Sequence, residues 1–279
     1  MAQTAPRFTP SHDPVWDRVR AEAQDMVAAE PILASFIHAT VLNHRRFERA
    51  LSYHLAQKLG SVEMRAMLLR QVFDEAYDSH PDIGAGIRAD LVAVFDRDPA
   101  CSGYLEPFLY FKGFHALQCY RVAHWLWYEN RRPVAMYLQN RISEVFGVDI
   151  HPAARIGRGI MIDHATSVVI GETAVVGDDV SMLHEVTLGG TGKDSGDRHP
   201  KVGSGVMIGA GAKILGNVRI GECARVGAGS VVLEDVPEHC TVVGVPARVV
   251  NCRGCEHPSH EMDQRVLGDP PGDSEHSAD

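Results

Sequence analysis

A six-residue repeat opens in the stretch IHPAARIGRGIMI, Ile150 to Ile162, where isoleucine occupies every sixth position. The register continues to Val186 and, after an interruption, resumes from Val202 to Val232. Neither an amphipathic helix nor a half-buried strand has a period of six. The pattern predicts a parallel β-helix, in which stacked coils bury side chains that no single unit could bury alone. The predicted inward positions are Ile150, Ile156, Ile162, Val168, Ala174, Val180 and Val186, then Val202, Ile208, Ile214, Ile220, Val226 and Val232.

The repeat is interrupted by a glycine-rich, polar segment, GGTGKDSGDRHPK, at residues 189–201. Such a composition is typical of an exposed loop. A tolerated surface insertion would look the same. The adjacent Arg198 and His199 favour a loop that covers a functional site.

The chain upstream of the repeat has helical character. Lys112 to Tyr128 is apolar and rich in aromatic residues, which predicts a buried helix, and its His115 and His124 are expected to be packing residues rather than metal ligands. We therefore predict an α+β chain with an α-helical N-terminal domain at residues 1–147 and a β-helix at residues 148–250. The polar residues 251–279 are expected to form a flexible C-terminal tail.

Composition excludes several classes of protein. The 279 residues carry a formal net charge of -9, which argues against a nucleic-acid-binding protein. No apolar run is long enough to span a membrane, and the N-terminus lacks a secretory signal. The six cysteines are mostly scattered, which predicts reduced thiols and a cytoplasmic location. Cys252 and Cys255 have the spacing of a metal clip, but one such cluster in a polar tail favours solvated thiols, so no metal is predicted.

Two residues near the start of the repeat could carry acid–base chemistry. His164 lies two places after the inward Ile162, so its side chain is expected on the outer surface of the prism. An outward imidazole with a carboxylate nearby can act as a general base. If each coil has eighteen residues, Asp149 stacks on Ser167, three places from His164. The pairing of Asp149 with His164 is geometrically plausible but does not follow from this spacing, and the residues taken alone favour two solvated corner side chains.

Several longer motifs resemble the serine O-acetyltransferase family of hexapeptide-repeat acyltransferases. They are residues 97–100 (RDPA), 109–118 (LYFKGFHALQ), 148–153 (VDIHPA), 157–166 (GRGIMIDHAT), 189–193 (GGTGK) and 196–201 (GDRHPK). The resemblance extends from about Val15 to Val250. It includes the helical domain, which few other β-helical acyltransferases share.

The resemblance implies a left-handed β-helix and a trimer, or a hexamer built as a dimer of trimers, with active sites between neighbouring prisms. The implied reaction transfers the acetyl group of the co-substrate acetyl-CoA to L-serine, giving O-acetyl-L-serine, the first step of cysteine biosynthesis, without a resident cofactor. L-cysteine is implied as a feedback inhibitor. Family members that bind O-acetylserine sulfhydrylase end in isoleucine, whereas this chain ends in Asp279, so that complex is not expected.

The resemblance also assigns roles to residues of this sequence. His164 is implied to be the general base and Asp149 its partner. The implied serine-binding residues are Asp98 and Asp163 for the ammonium group, and Arg198 and His199 for the carboxylate. The implied acetyl-CoA-binding residues are Gly190, Thr191, Ala210 and Ala228.

Three alternatives remain open at the level of sequence. One is an acetyltransferase for a sugar or another small hydroxyl acceptor, against which the set of serine-binding residues argues. The second is a metal-dependent hydratase resembling the γ-class carbonic anhydrases, with candidate ligands His151, His164, His184 and His199. The third is a structural module without catalytic activity, which the outward His and Asp residues disfavour.

Overall fold

The N-terminal half of the chain is helical in the computed structural model, which describes residues 12–192, 195–252 and 256–265. Pro14, Pro81 and Pro133 lie in the first turns of three helices, where the missing N–H of proline costs nothing. Within these ranges no helix combines the length and apolar character needed to cross a membrane. The helices are α1 (Pro14–Ala29), α2 (Ala34–Ile37), α3 (Phe47–Leu59), α4 (Ala66–Ser79), α5 (Pro81–Arg97), α6 (Leu105–Tyr110), α7 (Lys112–Tyr128) and α8 (Arg132–Phe146), with a 3-10 turn at Pro31–Leu33 and a π turn at His38–Leu42.

Short strands follow immediately and wind into a parallel β-helix of five coils. Three sheets form its faces: sheet A has the order β1-β4-β7-β10-β13, sheet B β11-β8-β5-β2 and sheet C β15-β14-β12-β9-β6-β3. The strands are β1 (Val148–Ile150), β2 (Arg155–Ile156), β3 (Met161–Ile162), β4 (Val168–Ile170), β5 (Val175–Val176), β6 (Ser181–Met182), β7 (Thr187–Gly189), β8 (Lys201–Val202), β9 (Met207–Ile208), β10 (Lys213–Leu215), β11 (Arg219–Ile220), β12 (Arg225–Val226), β13 (Val231–Val232), β14 (Thr241–Gly244) and β15 (Ala247–Asn251).

The prediction of a β-helix preceded by helices is confirmed. Of the thirteen predicted inward positions all are buried except Ile156, which is half-buried. Small residues lie at several corners, and Gly159, Gly205, Gly211 and Gly229 adopt positive φ, a conformation that costs glycine little. The helix predicted from Lys112 to Tyr128 is α7, and His115 is buried within it.

The eighteen-residue stacking assumed for the first coil is wrong. Asp149 lies opposite Val169, twenty residues further along the chain, rather than under Ser167. The two extra residues fall in one corner: residues 163–167 connect Ile162 to Val168, whereas only residues 183–185 connect the stacked pair Met182 and Val186. The uniform spacing from Ile162 to Val168 hides this enlargement, because Val168 and Ile170 both point inward.

A buried polar network joins the helical domain to the first coil. Asp90 is fully buried and accepts hydrogen bonds from Arg121 (2.7 Å) and from the backbone N–H of Ile160 (2.9 Å). Arg121 also donates to the carbonyl of Gly157 at 2.7 Å, and the hydroxyl of Tyr120 donates to the carbonyl of Ala154. Backbone groups of the first coil are therefore satisfied by helix side chains.

The last strands differ from the rest because β14 and β15 form an antiparallel hairpin. Cys240 precedes β14 and Cys252 follows β15, so the hairpin brings the two residues together, and they form a disulfide. The expectation of reduced thiols is therefore wrong for this pair, whereas Cys101, Cys119 and Cys223 are free. Cys255, the other half of the candidate metal clip, lies outside the described residues.

Part of the predicted flexible tail is packed against the body of the protein. The short helix α9 (Pro258–Glu261) contains Ser259, which is fully buried and accepts a hydrogen bond on its carbonyl from Ser181 at 2.8 Å. Arg97, at the end of α5, donates to Ser181 at 3.1 Å and lies 3.3 Å from the imidazole of His260. Residues 266–279 lie outside the described part of the chain.

Candidate active site

A cavity of about 270 Å³ lies where the helical domain meets the first corner of the β-helix between sheets C and A. Asp98 enters it from the end of α5, and Asp163 and His164 enter it from the residues that follow β3. Lys112, at the start of α7, completes the polar part of the lining. The structure thus brings together three of the predicted site residues: Asp163 and His164, which are adjacent in sequence, and the distant Asp98.

His164 has the exposure that a general base needs. Its side chain is 77% exposed, and Nε2 lies 3.8 Å from Oδ1 of Asp163. The backbone at His164 has a φ of 53°, which a non-glycine residue adopts only where its surroundings hold it. A corner in this conformation directs the imidazole out of the prism into the cavity rather than along the sheet.

A second group of polar residues lies at a different corner, between sheets A and B. There Arg198 donates to Glu172 at 2.7 Å, and this hydrogen bond lowers the pKa of the Glu172 carboxyl. His199 is buried, and its Nδ1 accepts a hydrogen bond from the backbone N–H of Thr173 at 3.2 Å. Burial, with the nearby Arg198 charge, lowers the pKa of His199. His199 is therefore held neutral with its proton on Nε2, so it can donate one hydrogen bond from that atom.

Asp149 lies on the outer face of sheet A, between the two corners. Its carboxylate accepts a hydrogen bond from Gln139 of α8 at 2.7 Å. Within one chain the carboxylate near His164 is that of Asp163, and Asp149 is directed toward α8 instead. The predicted pairing of Asp149 with His164 is therefore not formed inside the single chain.

The predicted acetyl-CoA residues divide between the same two corners. Ala210 and Ala228 follow His164 and His184 along the corner between sheets C and A, where Gly211 N donates to the His184 carbonyl (2.9 Å) and Gly229 N to the Ala210 carbonyl (2.8 Å). Gly190, by contrast, lies against Arg198 and His199. Thr191 follows it, with its methyl group near Gly216.

About 10 Å of sheet A separates the two corners, which is three rises of roughly 3.3 Å from Val168 to Gly171. The predicted base and the predicted carboxylate ligands therefore lie at separate corners of a single chain. They would face each other where the first corner of one copy meets the second corner of another.

The four histidines predicted as ligands for the metal-dependent alternative are also divided between the two corners. His164 and His184 have their rings in contact, whereas His151 is close enough to His199 to influence its charge electrostatically. Over the described ranges, no group of three or more His, Cys, Asp or Glu side chains is arranged to hold a metal ion.

The structure adds three residues that the sequence did not single out. Lys112 lines the cavity, Thr173 organises His199, and Glu172 pairs with Arg198. Lys112 lies within one of the motifs that resemble the family, so the sequence did contain an indication of its importance. Thr173 and Glu172 stand one coil before Arg198 and His199 and become visible only once the register is known.

Two family models match the chain. A model described as the N-terminal part of serine acetyltransferase matches residues 15–119, and a model of the bacterial transferase hexapeptide, six repeats, matches residues 199–234. The serine acetyltransferase of Salmonella typhimurium is 58% identical over 254 residues, which cover 91% of this chain and 93% of that protein.

Solved structures agree with the sequence comparison. A serine acetyltransferase in complex with cysteine superposes with a TM-score of 0.89 at 55% identity, covering 91% of this chain and 98% of that one. The serine acetyltransferase of Brucella abortus in complex with coenzyme A gives 0.86 at 53% identity over 88% and 98% of the two chains. That of Neisseria gonorrhoeae in complex with serine gives 0.83 at 55% identity over 86% and 98%.

Proposed function

The chain belongs to the serine acetyltransferase family and is an acyltransferase, and we propose that it transfers the acetyl group of acetyl-CoA to the hydroxyl of L-serine by direct attack. The products are O-acetyl-L-serine and CoA, and the reaction is the first step of cysteine biosynthesis from serine. One observation carries the proposal for the site: Asp98, Asp163 and His164 line a single cavity although Asp98 is distant in sequence.

The general base of the proposed reaction is His164. Its imidazole removes the proton from the serine hydroxyl while the serine oxygen forms a bond to the thioester carbonyl carbon. The tetrahedral intermediate then expels the CoA thiolate, which takes the proton from the His164 imidazolium, and the acetyl ester remains on serine. Because both substrates are held together, no acyl-enzyme is required. No resident cofactor takes part.

Charge complementarity accounts for the choice of acceptor. The serine ammonium group is placed between the carboxylates of Asp98 and Asp163, which border His164 in the cavity. The serine carboxylate is assigned to Arg198 and to the Nε2–H of His199. Within one chain Arg198 and His199 lie at a different corner from His164. We therefore assign the serine carboxylate to the Arg198 and His199 of a neighbouring subunit.

This assignment requires a homo-oligomer, and we assign a trimer, a closed ring in which the first corner of each subunit meets the second corner of the next. Asp149 of one subunit would then be available to His164 of the next. Exposed apolar side chains on the helical domain, Ile32, Val62 and Met67, support a second contact that pairs two trimers into a homohexamer.

Acetyl-CoA is assigned to the groove between subunits. Ala210 and Ala228 leave the corner above His164 without long side chains, which suits an extended pantetheine arm. Gly190 and Thr191 would border the groove from the other subunit. L-cysteine differs from serine by sulfur for oxygen, so the same carboxylates should bind it, and we assign it the role of feedback inhibitor.

Location and partners complete the proposal. We assign a cytoplasmic location, which the free thiols of Cys101, Cys119 and Cys223 favour and the Cys240–Cys252 disulfide does not. Neither nucleic acid nor a membrane is assigned as a partner. A complex with O-acetylserine sulfhydrylase is not part of the proposal.

The test is release of CoA from acetyl-CoA, followed by thiol detection, with L-serine and a panel of other amino acids and of sugars as acceptors. We expect L-serine to support turnover well above the other acceptors. Turnover with a sugar, and none with serine, would refute the assignment of substrate.

A further inference from the structure

The corner that carries His164 is built differently from the corners stacked on it. It has five residues, 163–167, where the next coil has three, 183–185. His164, Ala165 and Ser167 have φ values of 53°, 55° and 61°, in the left-handed region that non-glycine residues seldom adopt. The stacking of coils alone does not fix such an enlarged corner, so other contacts must hold it.

The first turn of α7 supplies those contacts. A Cβ on Gly113 would lie 2.0 Å from the carbonyl oxygen of Ile162, so only glycine allows the helix to approach the corner this closely. The neighbouring Lys112 then reaches the corner itself, and its Nζ donates to Oγ1 of Thr166 at 2.5 Å.

Thr166 connects this ammonium group to the general base. Its hydroxyl donates to the carbonyl oxygen of His164 at 3.4 Å, and its backbone N–H donates to the same oxygen at 2.7 Å. Because Nζ of Lys112 is a donor only, Oγ1 of Thr166 must accept from it, which leaves the hydroxyl proton free to point at His164. The carbonyl of Thr166 in turn accepts from Glu185 N at 2.7 Å, which ties the corner to the next coil.

We propose that Lys112 and Thr166 act as one unit that positions His164 for proton abstraction. The imidazole is largely exposed, so its aim depends on the backbone at φ 53°, and the ammonium–hydroxyl–carbonyl chain holds that backbone. Lys112 is thus a positioning residue that acts through Thr166 on His164. The inference rests on the proposed role of His164 as base.

The rival role for Lys112 is direct binding of the substrate carboxylate, because its ammonium group also borders the cavity. The two roles differ in what they predict for kinetics. A positioning residue changes kcat with little change in the KM for serine, whereas a carboxylate ligand changes that KM.

The experiment compares Lys112→Met, which keeps most of the stem but removes the charge, with Thr166→Val and the double variant. We expect each single variant to lower kcat by about 10- to 100-fold, as for a base displaced by a fraction of an ångström, with the KM for serine within about threefold. The double variant should be no slower than the slower single variant, because both break the same chain of hydrogen bonds. Lys112→Arg should recover part of the loss.

Lys213 offers a matched control, because its Nζ donates to the carbonyl of Glu185 at the corresponding corner of the next coil. Lys213→Met should retain wild-type kcat and should match Lys112→Met in thermal midpoint. Additive losses in the double variant, a raised serine KM at unchanged kcat, or wild-type kcat in Lys112→Met would each overturn the inference. If Lys112→Met does not fold, the kcat and KM of Thr166→Val decide the question.

His164→Ala in the same assay tests the proposed mechanism separately from the positioning role of Lys112 and Thr166. If His164→Ala retains turnover, the proposed mechanism fails. If His164→Ala is inactive while Lys112→Met and Thr166→Val behave as wild type, the positioning inference alone fails.

Discussion

The imidazole rings of His164 and His184 meet edge to face, with centroids 6.0 Å apart and planes at 76°. His184 occupies the equivalent corner one coil later, so the exposed imidazole of the enlarged corner lies against the next coil. This ring contact restrains an imidazole that has little other side-chain packing.

Removing the second ring should slow the reaction modestly. We expect His184→Ala to lower kcat by about two- to tenfold, because an edge-to-face pair contributes roughly 0.5–1.5 kcal/mol. His184→Phe keeps a ring at this position and should remain closer to wild type. Steady-state kinetics of the two variants provides the measurement. Equal losses in both would show that the ring contact is irrelevant.

His164→Ala should lower turnover by roughly two to four orders of magnitude, the usual contribution of a positioned general base. Asp149→Asn should lower turnover less, because the proposed role of Asp149 is to orient the base rather than to transfer a proton.

If neighbouring subunits share the site, co-expressed His164→Ala and Arg198→Ala chains should recover about a quarter of wild-type activity, from interfaces that combine both intact corners. Each variant expressed alone should stay inactive. If the co-expressed chains are as inactive as the separate variants, the whole site lies in one subunit.

L-cysteine should inhibit competitively with serine, because Asp98 and Asp163 would bind the ammonium group of either amino acid. Initial rates at several concentrations of each should show a rising apparent KM for serine at constant kcat. Asp98→Asn should weaken both cysteine inhibition and serine binding. Inhibition that serine cannot relieve would place the inhibitor elsewhere.

Acid should destabilise the helical domain through two buried histidines. Burial lowers the pKa of His54 to about 4 and that of His115 well below its ordinary value. An unfolded histidine titrates near 6.5, so between about pH 6.5 and 4 the unfolded chain binds more protons, and the free energy of unfolding falls as pH falls. His54 should account for about 3 kcal/mol of this loss.

Urea unfolding at pH 7 and at pH 4.5 measures the effect. His54→Gln keeps a donor for the carbonyl of Leu109, which Nε2 of His54 contacts at 3.0 Å, and should show a shallower pH dependence than wild type. His239→Gln, at an exposed corner, should leave the dependence unchanged. An unaltered slope in His54→Gln would remove His54 from the explanation.

Reduction of the Cys240–Cys252 disulfide should loosen the C-terminal hairpin. The bond joins residues 12 apart, and closing a loop of this size typically contributes about 2–3 kcal/mol. Cys252→Ser, or dithiothreitol added to the wild type, should speed amide hydrogen exchange in β14 and β15. Cys223→Ser, which alters a free thiol, serves as the control. Exchange rates that do not respond to reductant would show that the bond contributes nothing to the hairpin.

The sequence predicted the β-helix because its inward positions are periodic, and periodicity reports directly on burial. It did not predict the register of Asp149, because Val168 and Ile170 both point inward and conceal two added residues. It did not predict the disulfide either, since Cys240 and Cys252 meet only through a hairpin that lies outside the repeat. Asp98, Arg198 and His199 were predicted as site residues from motifs, whereas their division between two corners follows only from the three-dimensional path of the chain.

Both ends of the parallel coils carry features that oppose further growth. At one end, Arg121, Asp90 and Tyr120 occupy backbone groups of the first coil, and at the other the chain reverses direction into β15. A second molecule adding a coil in register would meet helix side chains at the first end and an antiparallel strand at the last. Both features work against fibrous self-association in a fold built from repeating strands.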